Sequence, residues 1–262
     1  MSSSWRPQPS VRFRKHRNRR RFIFGTLIAL GAILILAGVI WGFGFLNVKS
    51  VKVSSVKFID SEKFKNQIDN YLNANNFFGL INFRKNELFI SRKDFNFLLN
   101  QFPELESFTL TKNLFSRELI FNLNERQSEG IVCEDNPVQK CFYFDKSGFV
   151  FTEAPETGGS IIFLINDGSG RLYKIGDEIL SADNFQIFSK TRDLVNARFP
   201  VGSIFIGSDG AEIRVNAGWS IKINLEDLSR TYLALENLLR GGFDFNSLSY
   251  VDLRYLPNIY YK

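Results

Sequence analysis

Residues 88–126 read LFISRKDFNFLLNQFPELESFTLTKNLFSRELIFNLNER, and their periodicity changes part of the way along. Ser91 followed by Asp94 resembles a capping box, which predicts a helix through Gln101 with Phe95, Leu98 and Leu99 on its buried stripe. Pro103 ends that helix. Phe108 and Leu110 then alternate with Ser107, Thr109 and Thr111, the period-two pattern of a half-buried strand. Leu119, Phe121 and Leu123 repeat the pattern in a second strand that closes at Glu125-Arg126.

Upstream, Val48, Val51 and Val53 with Lys49 and Lys52 between them predict a short strand. Asp60 or Ser61 caps a helix whose apolar face is Phe64, Ile68, Tyr71 and Leu72, spaced i, i+4, i+7 and i+8. A linking stretch with Phe77, Phe78 and Gly79 leads on to Leu88. The first module therefore runs strand, helix, helix, strand, strand over 47–127.

Before this module lie 25 consecutive uncharged residues, Phe22 to Leu46, behind a tail that holds eight Lys or Arg and no acid. A spanning helix needs roughly 20 apolar residues, and Lys and Arg are retained on the cytoplasmic side. The expectation is a basic cytoplasmic tail over 1–21, a single transmembrane helix over 22–46, and export of 47–262. Arg19, Arg20 and Arg21 would lie at the inner interface with the lipid bilayer and Trp41 at the outer one. A cleaved leader would be shorter and end in small residues, whereas this run leaves through Trp41, Gly42, Phe43, Gly44, Phe45 and Leu46. An Arg-rich arm for nucleic acid is the other reading of the tail, and topology with lipid attraction explains it more simply.

All 27 acids follow residue 59, and the eight tail cations leave 25 of the 33 Lys and Arg for the remainder. The formal charge of +6 thus belongs to the tail, and the remainder stands near −2, so the basic balance does not point to nucleic acid there. Cys133 and Cys141 flank a turn-like Asp135-Asn136-Pro137, which predicts a disulfide across a loop or hairpin in an oxidising compartment. His16 is the only histidine and lies in the tail, so a metal site and triad catalysis are not expected in 47–262. No phosphate loop follows a strand. Asp145, Asp167 and Asp227 are carboxylates in turn or helix-start settings, and nothing in their pattern calls for an enzyme, a cofactor or a small-molecule substrate.

The second domain, 128–262, reads as a mixed sheet with helices. Tyr143 to Phe151 form a hairpin around Asp145-Lys146-Ser147-Gly148, and Ile161 to Ile165 a buried strand. A helix over Asp183–Ala197 buries Ile187, Phe188, Leu194 and Val195. Three strands carry Ile204 and Ile206, Ile213 and Val215, and Trp219, Ile221 and Ile223, and a further helix carries Leu225, Leu228, Tyr232, Leu235 and Leu239 before Gly241-Gly242. In LSYVDLRYLPNIYYK, 248–262, Val251 and Leu253 oppose Tyr250 and Asp252, so one face of that strand is buried. A strand left at a sheet edge suits partner binding by strand addition, with flanking aromatics for specificity.

The segments 88–110, 112–126, YFDKSGFVF at 143–151 and the Tyr-x-Asp-Leu-Arg-Tyr pattern of 250–255 resemble the FtsQ/DivIB family of bacterial cell-division proteins, whose first module is a POTRA domain. The family often has proline where Ser116 and Ser128 stand here. The resemblance implies an α+β chain: a transmembrane helix, a POTRA domain of order βααββ and an FtsQ-type β domain. It further implies a non-catalytic divisome scaffold at the division septum, in the cytoplasmic membrane, with its C-terminal domains outside. It would bind FtsB-like and FtsL-like proteins and other divisome membrane proteins, and help control septal wall synthesis. By motif position the edge residues are Tyr250, Asp252, Arg254, Tyr255 and Tyr260, with Tyr261 an alternative to Tyr260. Asp252 and Arg254 equally suit an internal ion pair, and Tyr250 a core position. The competing readings are a membrane-anchored wall enzyme, which a zymogram would reveal, and a POTRA protein of an export system, which would lead into a transmembrane barrel.

Overall fold

The computed structural model describes residues 12–54, 56–74, 82–135, 140–156, 163–241, 245 and 248–262, without the side chains of 12–21, 36 and 39–44. The first elements are α1 (Arg12–Phe45), β1 (Ser50–Val53), α2 (Ser61–Asn73), a 3-10 turn (Arg92–Phe95), α3 (Phe97–Gln101), β2 (Leu105–Asn113) and β3 (Glu118–Glu125). Next come β4 (Gly130–Glu134), β5 (Cys141–Phe144), β6 (Val150–Ala154), β7 (Phe163–Asp167), α4 (Ala182–Asn196) and β8 (Val201–Gly207). The last are β9 (Gly210–Val215), β10 (Ser220–Ile223), α5 (Leu228–Arg240), β11 (Tyr250–Asp252) and β12 (Tyr260–Tyr261). The chain is α+β with mixed sheets, and it divides into two compact units. One comprises Met1–Ser55, Asp60–Phe95 and Thr109–Asn122; the other comprises Val56–Ile59, Asn96–Phe108 and Leu123–Lys262.

The expectation of a transmembrane helix over 22–46 is corrected: among the described residues no helix is long and apolar enough to cross a membrane. The helix found there, α1, begins at Arg12 and so takes in the cationic end of the tail.

In the first unit, β1 lies parallel to β3, with Val51 opposite Leu119 and Val53 opposite Phe121. The three-stranded sheet has the order β1-β3-β2, and β2 and β3 contribute residues to both units. Asp60 caps α2 by accepting from the Glu62 and Lys63 N–H groups, and Phe64, Ile68 and Leu72 form its buried face. Phe121 receives the rings of Phe64 and Phe95 edge-on, at 5.9 and 5.1 Å. Each such buried side chain contributes about 1.5–3 kcal/mol. The single helix expected over 91–101 is instead a 3-10 turn followed by α3. The Asp94 carboxylate accepts from both the Ser91 N–H and its hydroxyl, closing a tight turn before the α-helix begins.

In the second unit nine strands run in the order β12-β11-β10-β9-β8-β7-β4-β5-β6. The pairs β4–β7, β7–β8 and β10–β11 are parallel, and the other pairs whose register is defined are antiparallel. The main core joins Phe185, Phe188 and Val195 of α4 and Leu228, Leu235 and Leu239 of α5 to Ile165, Ile204, Ile213, Ile221 and Val251 of the sheet. Asp227 caps α5 through its carboxylate, which accepts from the Arg230 N–H. The strand β4 carries no alternation because it is buried throughout. A Cβ on its Gly130 would stand 2.2 Å from the Phe163 carbonyl, so only glycine lets β7 approach this closely. Glu125 and Arg126 are both structural. The Glu125 carboxylate accepts from the N–H groups of Lys57, Phe58 and Ile59. Arg126 donates to the Pro103 carbonyl and to Asp145, and lies over the Phe149 ring.

Candidate functional site

The candidate site is the β11–β12 end of the nine-stranded sheet. Val251 and Leu253 are fully buried on the helix-covered face, which commits their neighbours Tyr250, Asp252 and Arg254 to the other side. There the registers build polar rows: Arg214 opposite Ser220 opposite Tyr250, and Glu212 opposite Lys222 opposite Asp252. Tyr250 is half-buried on this outer face, not in the core, with the Lys222 ammonium 4.8 Å from its ring centroid.

Asp252 and Arg254 form an internal ion pair. The Arg254 backbone N–H, Nε and Nη2 donate to the Asp252 carboxylate at 3.0, 3.0 and 2.7 Å, and Nη1 reaches Asp209 in the β8–β9 turn. Burial pulls the Asp252 pKa upward, but the bonds from Arg254 and the charges of Arg254 and Lys222 outweigh it and hold the carboxyl below its usual range. Arg254 is correspondingly pushed up by its bond to Asp252. Gly210 closes the turn at φ +135°, where a Cβ would stand 2.3 Å from the Ile223 carbonyl. Asp209, Gly210, Glu212, Lys222 and Arg254 line a shallow groove on this outer face.

The edge strand differs from the one expected. Tyr250–Asp252 is an inner strand, parallel to β10 on one side and antiparallel to β12 on the other. After Arg254 the chain turns through Tyr255–Pro257 and returns, so that Tyr261 opposes Val251 and Tyr260 opposes Asp252. Ser249 and Tyr250 both donate to the Lys262 carbonyl, and Lys262 donates to Tyr250. Leu256 and Ile259 pack against the core, so the return is anchored at both ends. The outermost strand is β12, with no strand beyond it among the described residues.

Tyr255 and Tyr260 lie side by side in this region, 58% and 53% exposed, their rings 6.2 Å apart and edge-on. The Arg254 guanidinium lies 5.3 Å from the Tyr255 ring centroid. Tyr261 is exposed as well. The structure therefore gathers all five expected edge residues: Asp252 and Arg254 as a salt-bridged base, Tyr255 and Tyr260 as an exposed aromatic rim, and Tyr250 half-buried against Lys222. Sequence reasoning missed Asp209, 45 residues from Arg254, because a Ser-Asp-Gly turn carries no sign of its distant partner. Pro257-Asn258 was the one local signal for the return.

Cys133 and Cys141 face each other across β4 and β5 and form a disulfide. With Ile131 they make a small apolar cluster separate from the main core. Asp145 organises a turn by accepting from Ser147 and Phe149, Asp167 accepts from the Tyr173 hydroxyl, and Asp227 is the α5 cap. Among the described residues no acidic, histidine or cysteine group could hold a metal ion. Arg19, Arg20, Arg21 and Trp41 lie outside the described side chains. In comparisons with known proteins, no family model matches the chain and no curated protein is significantly similar to it.

Proposed function

We propose that this chain is a non-catalytic adaptor of the bacterial division machinery, of the FtsQ/DivIB type with a POTRA first domain. In this reading an extended segment of an FtsB-like protein, held together with an FtsL-like protein, adds as a strand along β12. Tyr255 and Tyr260 grip its side chains. The chain would meet other division membrane proteins as well and help control septal wall synthesis. The observation that carries the reading is an outermost strand flanked by two exposed tyrosines on a base fixed by the Asp209–Arg254–Asp252 pairs. Strand addition takes affinity from the backbone and specificity from flanking side chains, and interfaces favour tyrosine. An oxidising, extracytoplasmic setting for the second unit is supported by the disulfide. Asp145, Asp167 and Asp227 serve a turn, an internal bond and a helix cap, which favours an adaptor over a wall hydrolase.

The test is capture of FtsB-like and FtsL-like chains by the whole purified chain. Wild type is compared with Tyr255→Asp and Tyr260→Asp, both at exposed positions where the fold should be unaffected. Loss of about 2 kcal/mol at a tyrosine hot spot corresponds to roughly 30-fold weaker capture. Equal capture by all three proteins would remove the edge mechanism, and no capture by wild type would remove the function.

A further inference from the structure

Three chain segments of the first unit meet where α1 ends. Val48 donates to the Lys85 carbonyl at 2.8 Å, and Glu87 donates to the Leu46 carbonyl at 3.0 Å. Lys112 Nζ reaches the Glu87 carbonyl at 2.8 Å, and Arg117 Nη1 reaches the Phe45 carbonyl at 3.1 Å. The end of α1, the turn around 82–90 and the β2–β3 hairpin are thereby tied together.

Each segment turns large apolar side chains outward. Phe115 is wholly exposed and Leu114 about half exposed at the hairpin tip, and Phe45, Phe83, Leu88 and Phe89 are exposed beside it. Phe83 and Phe89 meet edge-on at 5.6 Å. Phe83, Leu88, Phe89, Leu114 and Phe115 all project from turns, which suits insertion into a deformable apolar medium. A patch of this kind on a folded unit marks an interaction surface. Lys49, Lys85, Lys112 and Arg117 stand among them; Glu87 is fully buried, and the Glu118 carboxylate beside Arg117 is taken up by Ser50, Lys52 and Ser116.

Apolar tips ringed by cations match the interface of an anionic bilayer, where aromatic rings settle at headgroup depth and each Lys or Arg gains ~1 kcal/mol. We propose that this end of the first unit docks on an anionic phospholipid surface, with Leu114 and Phe115 entering the headgroup–acyl boundary. The surface is distinct from β12, so the docking stands or falls apart from the adaptor reading.

The test places an indole at the tip of the full-length protein, Phe115→Trp, in vesicles whose acyl chains carry bromine. Its emission is taken as the difference from wild type. In phosphatidylglycerol-rich vesicles the added emission should shift to the blue and be quenched. The docked-to-undocked ratio should fall about fivefold for each cation removed by Lys49→Gln or Lys112→Gln, the equivalent of ~1 kcal/mol. An unshifted, unquenched indole overturns the proposal. So does equal quenching in phosphatidylcholine, and so does a shift that appears only when division proteins are added, which would make the patch a protein-docking face.

Discussion

Replacing Glu87 by methionine should stabilise the first unit at neutral pH, and by an amount that depends on pH. Glu87 has no solvent exposure, and neither carboxylate oxygen has a hydrogen-bond partner. Desolvation raises its pKa, and the charges of Lys112 and Arg117 pull it back only in part. A carboxyl whose folded pKa exceeds its unfolded value contributes stability below both values, and that contribution is lost as pH rises through the folded pKa. The wild-type chain is therefore penalised above the carboxylate range and relieved below it. A buried charged acceptor left unsatisfied costs about 1–3 kcal/mol or more. Removing it also leaves Lys112 and Arg117 without a counter-charge, so the net gain for Glu87→Met at pH 7.5 is set at about 1–2 kcal/mol. The assay is urea unfolding of the full-length chain at a series of pH values, read from the midpoint at unchanged slope. The difference between variant and wild type should grow as pH rises through the carboxylate range. A variant less stable than wild type at neutral pH, or a difference independent of pH, would show that the carboxylate is held as an ion pair and would refute the reasoning.

Two further substitutions test the internal fastenings of the second unit. Glu125→Ala strands the N–H groups of Lys57, Phe58 and Ile59; the exposed Lys57 N–H returns to water, but Ile59 is buried and Phe58 partly so. Two donors at about 1–2 kcal/mol each give a loss of about 2–4 kcal/mol in urea unfolding, and a loss under about 0.5 kcal/mol would mean the segment is held by other contacts. The double replacement Cys133→Ala with Cys141→Ala releases a loop with a sequence separation of 8, worth about 2.5 kcal/mol in the chain-entropy account, and an unchanged unfolding midpoint would contradict it.

The elements that could be seen in advance are those whose burial is one-sided. Phe64, Ile68 and Leu72 of α2 and the hairpin around Asp145 follow local periodicity and turn chemistry, so spacing alone was enough; in α5 Leu228, Leu235 and Leu239 follow it too, but Leu225 precedes the helix and Thr231 is buried where Tyr232 was expected. β4 escaped because it is buried throughout and shows no period, although it is the strand that joins the β5–β6 hairpin to the rest of the sheet. At the candidate site, the opposition of Val251 and Leu253 to Tyr250 and Asp252 was legible, since a period of two leaves no other arrangement. The return strand was not, because two residues cannot establish a period. The Asp209–Arg254 contact was not either, because it depends on which strands become neighbours. The spanning expectation rested on the count of uncharged residues, whereas the helix has its start inside the cationic tail.

The return of the chain changes what the proposed edge has to work with. Had Tyr250–Arg254 been outermost, a strand whose inner face is locked into the core would have offered a longer row of backbone groups. β12 covers that row and replaces it with an edge two residues long, too short to template unspecific pairing with other chains. So short a strand can supply few backbone hydrogen bonds to an incoming segment, at a net ~0.5–1.5 kcal/mol each. The larger part of any affinity must then come from the rim. Tyr255 and Tyr260 are suited to that part because Arg254, fixed by one carboxylate from the β8–β9 turn and one from β11, underlies Tyr255, which in turn braces Tyr260. Side chains ordered before binding lose less entropy on binding. On this account the base at Asp209, Asp252 and Arg254 acts by positioning the tyrosines, and partner binding at this edge is governed more by the aromatic rim than by the ladder.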